Sequence, residues 1–271
     1  MKREGPSGGR RSRDAEIERR GPSILRPERS PGPASSWAGA FVFAVVVDVF
    51  LGRWALLPIF VAGFYGGTIV LALLTFPAIS LWRGWLRRRG TRSWRMVRAG
   101  VWTASMVGIV VLSPWWLGWG WGAGLLSRVI GGVLLALSVA AGAWAASVMG
   151  WDRISVASTL FPPEDGVEEN GVSQGLVVEG PYGHVRNPLA DADVGVIVGT
   201  ALLTGNWLLV GLLVAYLAHV VLQLPFEERE LEERFGEDYR RYRGLVPRFV
   251  PRLGAVDRGR VYRSENREEK G

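Results

Sequence analysis

Long apolar blocks alternate with compact arginine clusters along this chain, and that alternation limits the fold more than any other feature. A membrane-crossing helix needs about 20 consecutive apolar residues. From Trp37 to Trp82 the chain is apolar almost throughout, too long for one span and suited to two. The break falls near Gly52-Arg53 or Leu57-Pro58, and Asp48 and Arg53 read as surface residues or as a pair. The segment RGWLRRRGTRSWRMVR (83–98), with seven arginines and no acid, reads as a loop. Two further spans follow at about 100–121 and 125–149, joined by SPWWLGWGWG (113–122). Indole rings favour the headgroup level, so this cluster predicts an interfacial turn. After a polar stretch at 152–188 comes an apolar hairpin, 189–204 and 207–224, around Thr204-Gly205-Asn206. Each arm is short for a full span, which tilt or local thinning accommodates.

The expected fold is therefore all-α: a polytopic helical bundle of about six spans with a small cytoplasmic cap. Lys and Arg concentrate on the cytoplasmic side of membrane proteins, so the basic N-terminal tail, the 83–98 segment and the charged C-terminus all belong there. Net charge +7 is then a topology signal and calls for no nucleic-acid partner. A prokaryotic plasma membrane fits a chain whose 32 basic residues include only two lysines, Lys2 and Lys270. The chain has no cysteine, which excludes disulfides and thiolate chemistry, and only two histidines, His184 and His219, so no metal site is expected. Residues 1–36 are too polar to bury a core and are expected to form a disordered cytoplasmic tail without a signal peptide. Residues 37–149 would hold four spans, 150–253 the functional core, and 254–271 a polar tail.

The stretch GPYGHVRNPLADAD (180–193) interrupts this apolar pattern. Asn187-Pro188 is a helix start, with asparagine as N-cap and proline at the first helical position. It begins the fifth span, with Arg186 snorkelling to headgroups or, alternatively, forming an anion site with the helix N-terminus. A second polar cluster lies at 224–252. At helical spacing Leu224, Leu231, Phe235, Tyr239 and Tyr242 form one stripe, with Glu228 inside it and Glu227 at its edge. Steps of four backward from Glu227 reach Gln223 and His219. Polar groups at membrane depth usually face the protein interior. The row is expected to line one cleft opposite Arg186 and Tyr182, with Pro225 able to kink it.

Together, GPYGHVRNP (180–188) and EERELEERFGEDYRRYRGLVPRFVP (227–251), separated by an apolar hairpin, resemble the isoprenylcysteine carboxyl methyltransferase and phospholipid methyltransferase superfamily. The likeness covers roughly 174–251. It implies an S-adenosylmethionine-dependent methyltransferase acting on a lipophilic small molecule or lipid that enters from the bilayer. In this likeness Gln174, Gly175, Leu176 and Val177 line the cofactor pocket, and Tyr182, Arg186, Asn187, Pro188, Glu227 and Glu228 also bind the cofactor. Arg186 and Glu227 are the residues expected to be essential to catalysis, and Gln223 and His219 those that meet the acceptor. Ala190 stands where the family often has tyrosine, and Gln223 where the prenylcysteine enzymes carry a substrate-contacting arginine. A membrane reductase of the sterol-reductase kind, using NADPH, and a non-catalytic membrane binding protein are the other readings of the same layout.

Overall fold

The computed structural model describes residues 33–51, 54–75, 79–149 and 176–262. They form helices α1 (Pro33–Leu51), α2 (Leu56–Thr75), α3 (Ile79–Trp116), α4 (Leu125–Met149), α5 (Pro188–Thr204), α6 (Trp207–Leu245) and the short α7 (Arg258–Val261). A 3-10 turn, Gly180–Gly183, precedes α5. Among the described residues no strand forms beyond an isolated bridge between Gly120 and Asn206. By internal packing the chain divides into two units, Met1–Ala40 and Phe41–Gly271. In the first, residues 33–40 are helical.

Among the described residues, four helical segments are long and apolar enough to cross a membrane: Leu56–Thr75, Met96–Trp116, Leu125–Met149 and Trp207–Leu245. The other two expected spans are helices with shorter apolar stretches, Gly39–Leu51 and the 17-residue α5. The arginine-rich segment expected as a loop is helical. α3 runs unbroken from Ile79 through 83–98 into the apolar stretch that begins at Met96. Arginine is a good helix former, and a run without glycine pairs or internal proline offers no stop signal before Pro114.

The tightest packing joins α4 to α5. A Cβ on Gly131 would stand 2.7 Å from the Gly199 carbonyl oxygen, and one on Gly199 2.7 Å from Leu135 N. Small residues let helix backbones meet where lipid offers no hydrophobic drive between helices. α2 lies against α3 in the same way, with Ser105 Oγ donating to the Gly63 carbonyl at 3.1 Å. The buried core that joins these helices includes Leu57, Val61, Leu135, Ile197, Leu209 and Val220.

The tryptophan-rich turn and the α5–α6 turn are knitted together at one end of the bundle. Trp121 N donates to Gly205 O and Trp207 N to Trp119 O, both at 2.9 Å, and Asn206 caps α6 by accepting from Leu208 N. Asp48 behaves differently from the expectation. It is 1 % exposed and accepts from the backbone N–H groups of Ala55, Leu56 and Leu57, so α1 supplies the N-terminal cap of α2. Arg53 lies outside the described residues.

α6 passes through Pro225 without leaving helical geometry; its break comes at Gly236, with φ 52° and ψ −122°. This conformation is open to glycine and strained for residues with a Cβ. Beyond it, Tyr239 and Tyr242 turn into a second core with Leu176, Val178, Val246, Val256 and Val261. The expected stripe on this helix is present: Leu224 is buried in the first core, while Leu231 and Phe235 pack against the second.

Candidate active site

The polar interruption at 180–188 sits at the end of the bundle opposite the tryptophan turns, where α4 ends and α5 begins. The chain after α6 folds back along it. Arg186 N donates to Pro247 O at 2.9 Å, Arg252 N to His184 O at 3.1 Å and Val256 N to Gly183 O at 3.0 Å. Asn187 starts α5 by position, but its side chain does not cap the helix; Nδ2 donates to the Arg248 carbonyl at 3.2 Å. The expected capping role is thereby corrected: the amide pins the returning segment instead. Pro188 is buried at the first helical position.

Tyr182 is 4 % exposed; its hydroxyl points to Met149 Sδ at 3.5 Å, and its carbonyl accepts from Tyr242 Oη at 2.8 Å. Burial pushes its phenol well above the usual tyrosine range, so it is a neutral hydroxyl at any physiological pH. Leu176 is buried and its carbonyl accepts from Tyr262 Oη at 2.9 Å, while Val177 is half-buried. Among the described residues of this segment, Leu176 and Val177 form no strand. Gln174 and Gly175 lie outside the described residues.

Arg186 and Glu228 meet at 2.8 Å, both side chains 12 % exposed. Arg248, which sequence reasoning did not single out, grips the same carboxylate from the other side, its Nε at 3.0 Å from Oε1 and an Nη on Oε2. Its signal was the arginine after Val246-Pro247, at the end of the family-like pattern. The neighbouring Glu227 is half-buried and accepts instead from Gln223 Nε2, one turn back on α6. The pair of acids is thus divided between two partners: Glu228 faces the 180–188 turn and Glu227 joins the polar row. Next to Glu228 a depression of about 480 Å³ opens between Pro225, Arg229, Glu232, Glu233, Arg240 and Arg243. One donor of Arg186, Nε, is shielded from solvent and has no hydrogen-bond partner.

The third member of the row, half-buried His219, has its ring 5.9 Å from that of Tyr216. Tyr216 Oη donates to Asp193 Oδ2 at 2.6 Å, and Tyr65 Oη donates to Oδ1 at 2.8 Å. Asp193 therefore joins α2, α5 and α6, a role that spacing along the chain does not reveal.

Residues 126–238 match the phospholipid methyltransferase family profile. A stretch of 74 residues is 40 % identical to Methanethiol S-methyltransferase 2 of Bradyrhizobium diazoefficiens, covering 27 % of this chain and 28 % of that relative. The chain thus aligns with under a third of the relative's length. No solved structure matches. These findings support the likeness to the membrane methyltransferase superfamily expected from the paired motifs. With its apolar helices, the chain is an integral membrane protein in which residues 126–238 are similar to that family.

Proposed function

We propose that this protein is a membrane methyltransferase that binds S-adenosylmethionine at the end of the bundle where the 180–188 turn meets Glu228, and transfers the methyl group to a lipophilic small molecule or lipid. The observation that carries the reading is the Arg186–Glu228–Arg248 cluster beside the depression, within a segment similar to methyltransferases.

The residues present suit that cofactor. Its carboxylate calls for a cationic donor such as the guanidinium of Arg186 or Arg248, and its ammonium and ribose hydroxyls call for carboxylates such as Glu228 and Glu227. A depression of about 480 Å³ has the size of a small-ligand site. When bound, S-adenosylmethionine supplies a methyl group on a sulfonium, whose leaving group departs neutral. Little acid or base assistance is then required, and the chain's task is alignment in a dry site. Arg186, Glu227 and Glu228 hold the cofactor end, with Tyr182 and Asn187 fixing the turn. Gln223 and His219 lie deeper along α6, toward the acceptor. The arginine distribution supports a cytoplasmic side for this end and for both termini.

The test is thermal unfolding of the purified full chain with added S-adenosylmethionine or NADPH. A ligand at a hundred times its Kd stabilises the folded state by about 2.7 kcal/mol. Stabilisation by S-adenosylmethionine alone, lost in Arg186→Ala, is the expected result. Stabilisation by NADPH instead would replace the reading with a reductase, and by neither with a binding protein.

A further inference from the structure

The first half of α3 carries seven arginines and no acid over 83–98, a charge that the candidate active site does not use. Its place is set by the two apolar segments it joins. A Cβ on Gly67 would meet Trp102 and one on Gly63 would meet Met106, so α2 and the apolar part of α3 run antiparallel. Their ends, Thr75 and Met96, therefore lie at one membrane face. The start of α3 is held there too. Trp82 Nε1 donates to the Leu74 carbonyl, beside the end of α2, at 2.9 Å. Its ring meets that of Trp85 edge to face, with centroids 5.6 Å apart. Indole rings favour the headgroup level, so the helix between these points is kept in the headgroup layer.

Helical register separates the residues of this segment. At about 100° per residue, six of the seven arginines, all but Arg89, fall within one half of the circumference. Trp82, Trp85, Leu86, Met96 and Val97 fall within about a third of it on the other side. A topology signal needs no such separation, because orientation depends on how many cations a connection carries, not on where around a helix they stand. A basic half opposed to an apolar strip with tryptophan is instead the pattern of a helix lying in an anionic interface. The charged surface of α6 is built differently, with acids among its arginines: Arg240 and Arg243 both pair with Glu232, and Arg241 with Glu237. The arginines of α3 have no acid within their own segment, and a guanidinium matches phosphate oxygens through paired hydrogen bonds.

We infer that the first half of α3 is a binding surface for anionic phospholipid. Its arginine half gathers the negatively charged, phosphate-bearing headgroups of the leaflet it lies in, with the tryptophan strip toward the hydrocarbon. This surface is independent of the methyltransferase reading.

The test uses the full chain in phosphatidylcholine nanodiscs holding a trace of spin-labelled phosphatidylglycerol or phosphatidylcholine. Electron-resonance spectra then give the relative affinity of each lipid for the protein surface. A preference of about threefold or more for phosphatidylglycerol at low salt, falling toward equality in about 0.5 M salt, is expected. Two variants separate the face from the count of charges. One combines Arg87→Gln, Arg88→Gln, Arg92→Gln and Arg95→Gln, all from the basic half. The other combines Leu86→Arg with Arg88→Leu and Arg92→Ser with Ser93→Arg, which keeps every arginine but spreads them round the helix. Both should bring the preference below about 1.5-fold, with melting in phosphatidylcholine confirming that each folds. A wild-type preference in the second variant would reduce the segment to a count of charge and overturn the inference. So would equal affinity of the unaltered chain for the two lipids, or a preference that withstands salt. Displacement of phosphatidylglycerol by a short single-stranded RNA at physiological salt would assign the arginines to nucleic acid and overturn it as well.

Discussion

Arg186, on the connection into α5, reaches Glu228 on α6 at 2.8 Å across 42 residues of chain, and neither side chain is more than 12 % exposed. Arg248 completes the clasp, so one carboxylate ties together the 180–188 turn, the long helix and the returning C-terminal segment. Removing one partner of such a pair leaves a partly desolvated charge behind. Glu228→Ala, which strands two arginines, should therefore lower stability by about 1–3 kcal/mol and weaken S-adenosylmethionine binding more than tenfold. Glu228→Gln should recover part of the stability. Chemical denaturation and calorimetry read the two effects separately, and a Glu228→Ala variant with normal stability would show that the clasp is not closed in solution.

The proposed site divides the polar row on α6 into a cofactor end at Glu227 and an acceptor end at Gln223 and His219. Glu227→Ala should impair cofactor binding, while Gln223→Ala, which removes the donor to Glu227, and His219→Ala should reduce acceptor turnover more than cofactor affinity. Comparing cofactor Kd with kcat for the three variants checks this ordering. Equal effects of all three on cofactor binding would collapse the row into one cofactor wall.

Asp193 accepts one hydroxyl from α2 and one from α6. Tyr65→Phe and Tyr216→Phe each remove one hydrogen bond and should cost about 0.5–1.5 kcal/mol, since such bonds average about 0.6 kcal/mol and reach about 1.7 kcal/mol in a membrane protein. Asp193→Leu leaves both hydroxyls without an acceptor and should cost more than the double tyrosine variant. Thermal unfolding of the four variants provides the comparison.

Close approach of α4 and α5 depends on bare backbone. Gly199→Val places a methyl against Leu135 N and the Gly131 carbonyl, and neither can yield without separating the helices. A loss of about 1–3 kcal/mol is expected from overpacking. Gly211, exposed and with open space around it, should accept alanine with no loss, and the difference between their melting temperatures is the measurement.

Gly236 permits the change of direction that delivers Tyr239 and Tyr242 to the second core. Gly236→Ala meets no neighbour within 4 Å, so its cost is conformational, about 1–3 kcal/mol. The strain should appear as faster proteolysis after α6 and as weaker cofactor binding, with the apolar helices unaffected. Limited proteolysis with mass mapping distinguishes this from general unfolding.

Much of the fold was legible because it is written in local pattern. The apolar runs became helices at nearly the expected places, the Thr204-Gly205-Asn206 turn closed the hairpin, and the stripe from Leu224 to Tyr242 turned inward. Hydropathy and helical period depend on neighbours a few residues apart, so a sequence carries them openly. Arg186, Asn187 and Glu228 stood out in the sequence as well, because polar groups among apolar ones are conspicuous. What the tertiary structure alone decided is which partner each one takes. Asn187 holds the Arg248 carbonyl instead of its own helix, Asp48 caps the next helix, and Glu228 takes two arginines while Glu227 takes Gln223. Asp193 finds tyrosines on two other helices, and Asp191 finds no partner for one oxygen. The physical reason is common to all of them: a hydrogen bond acts over about 3 Å, and which groups come within that distance is set by how whole helices pack, not by spacing along the chain.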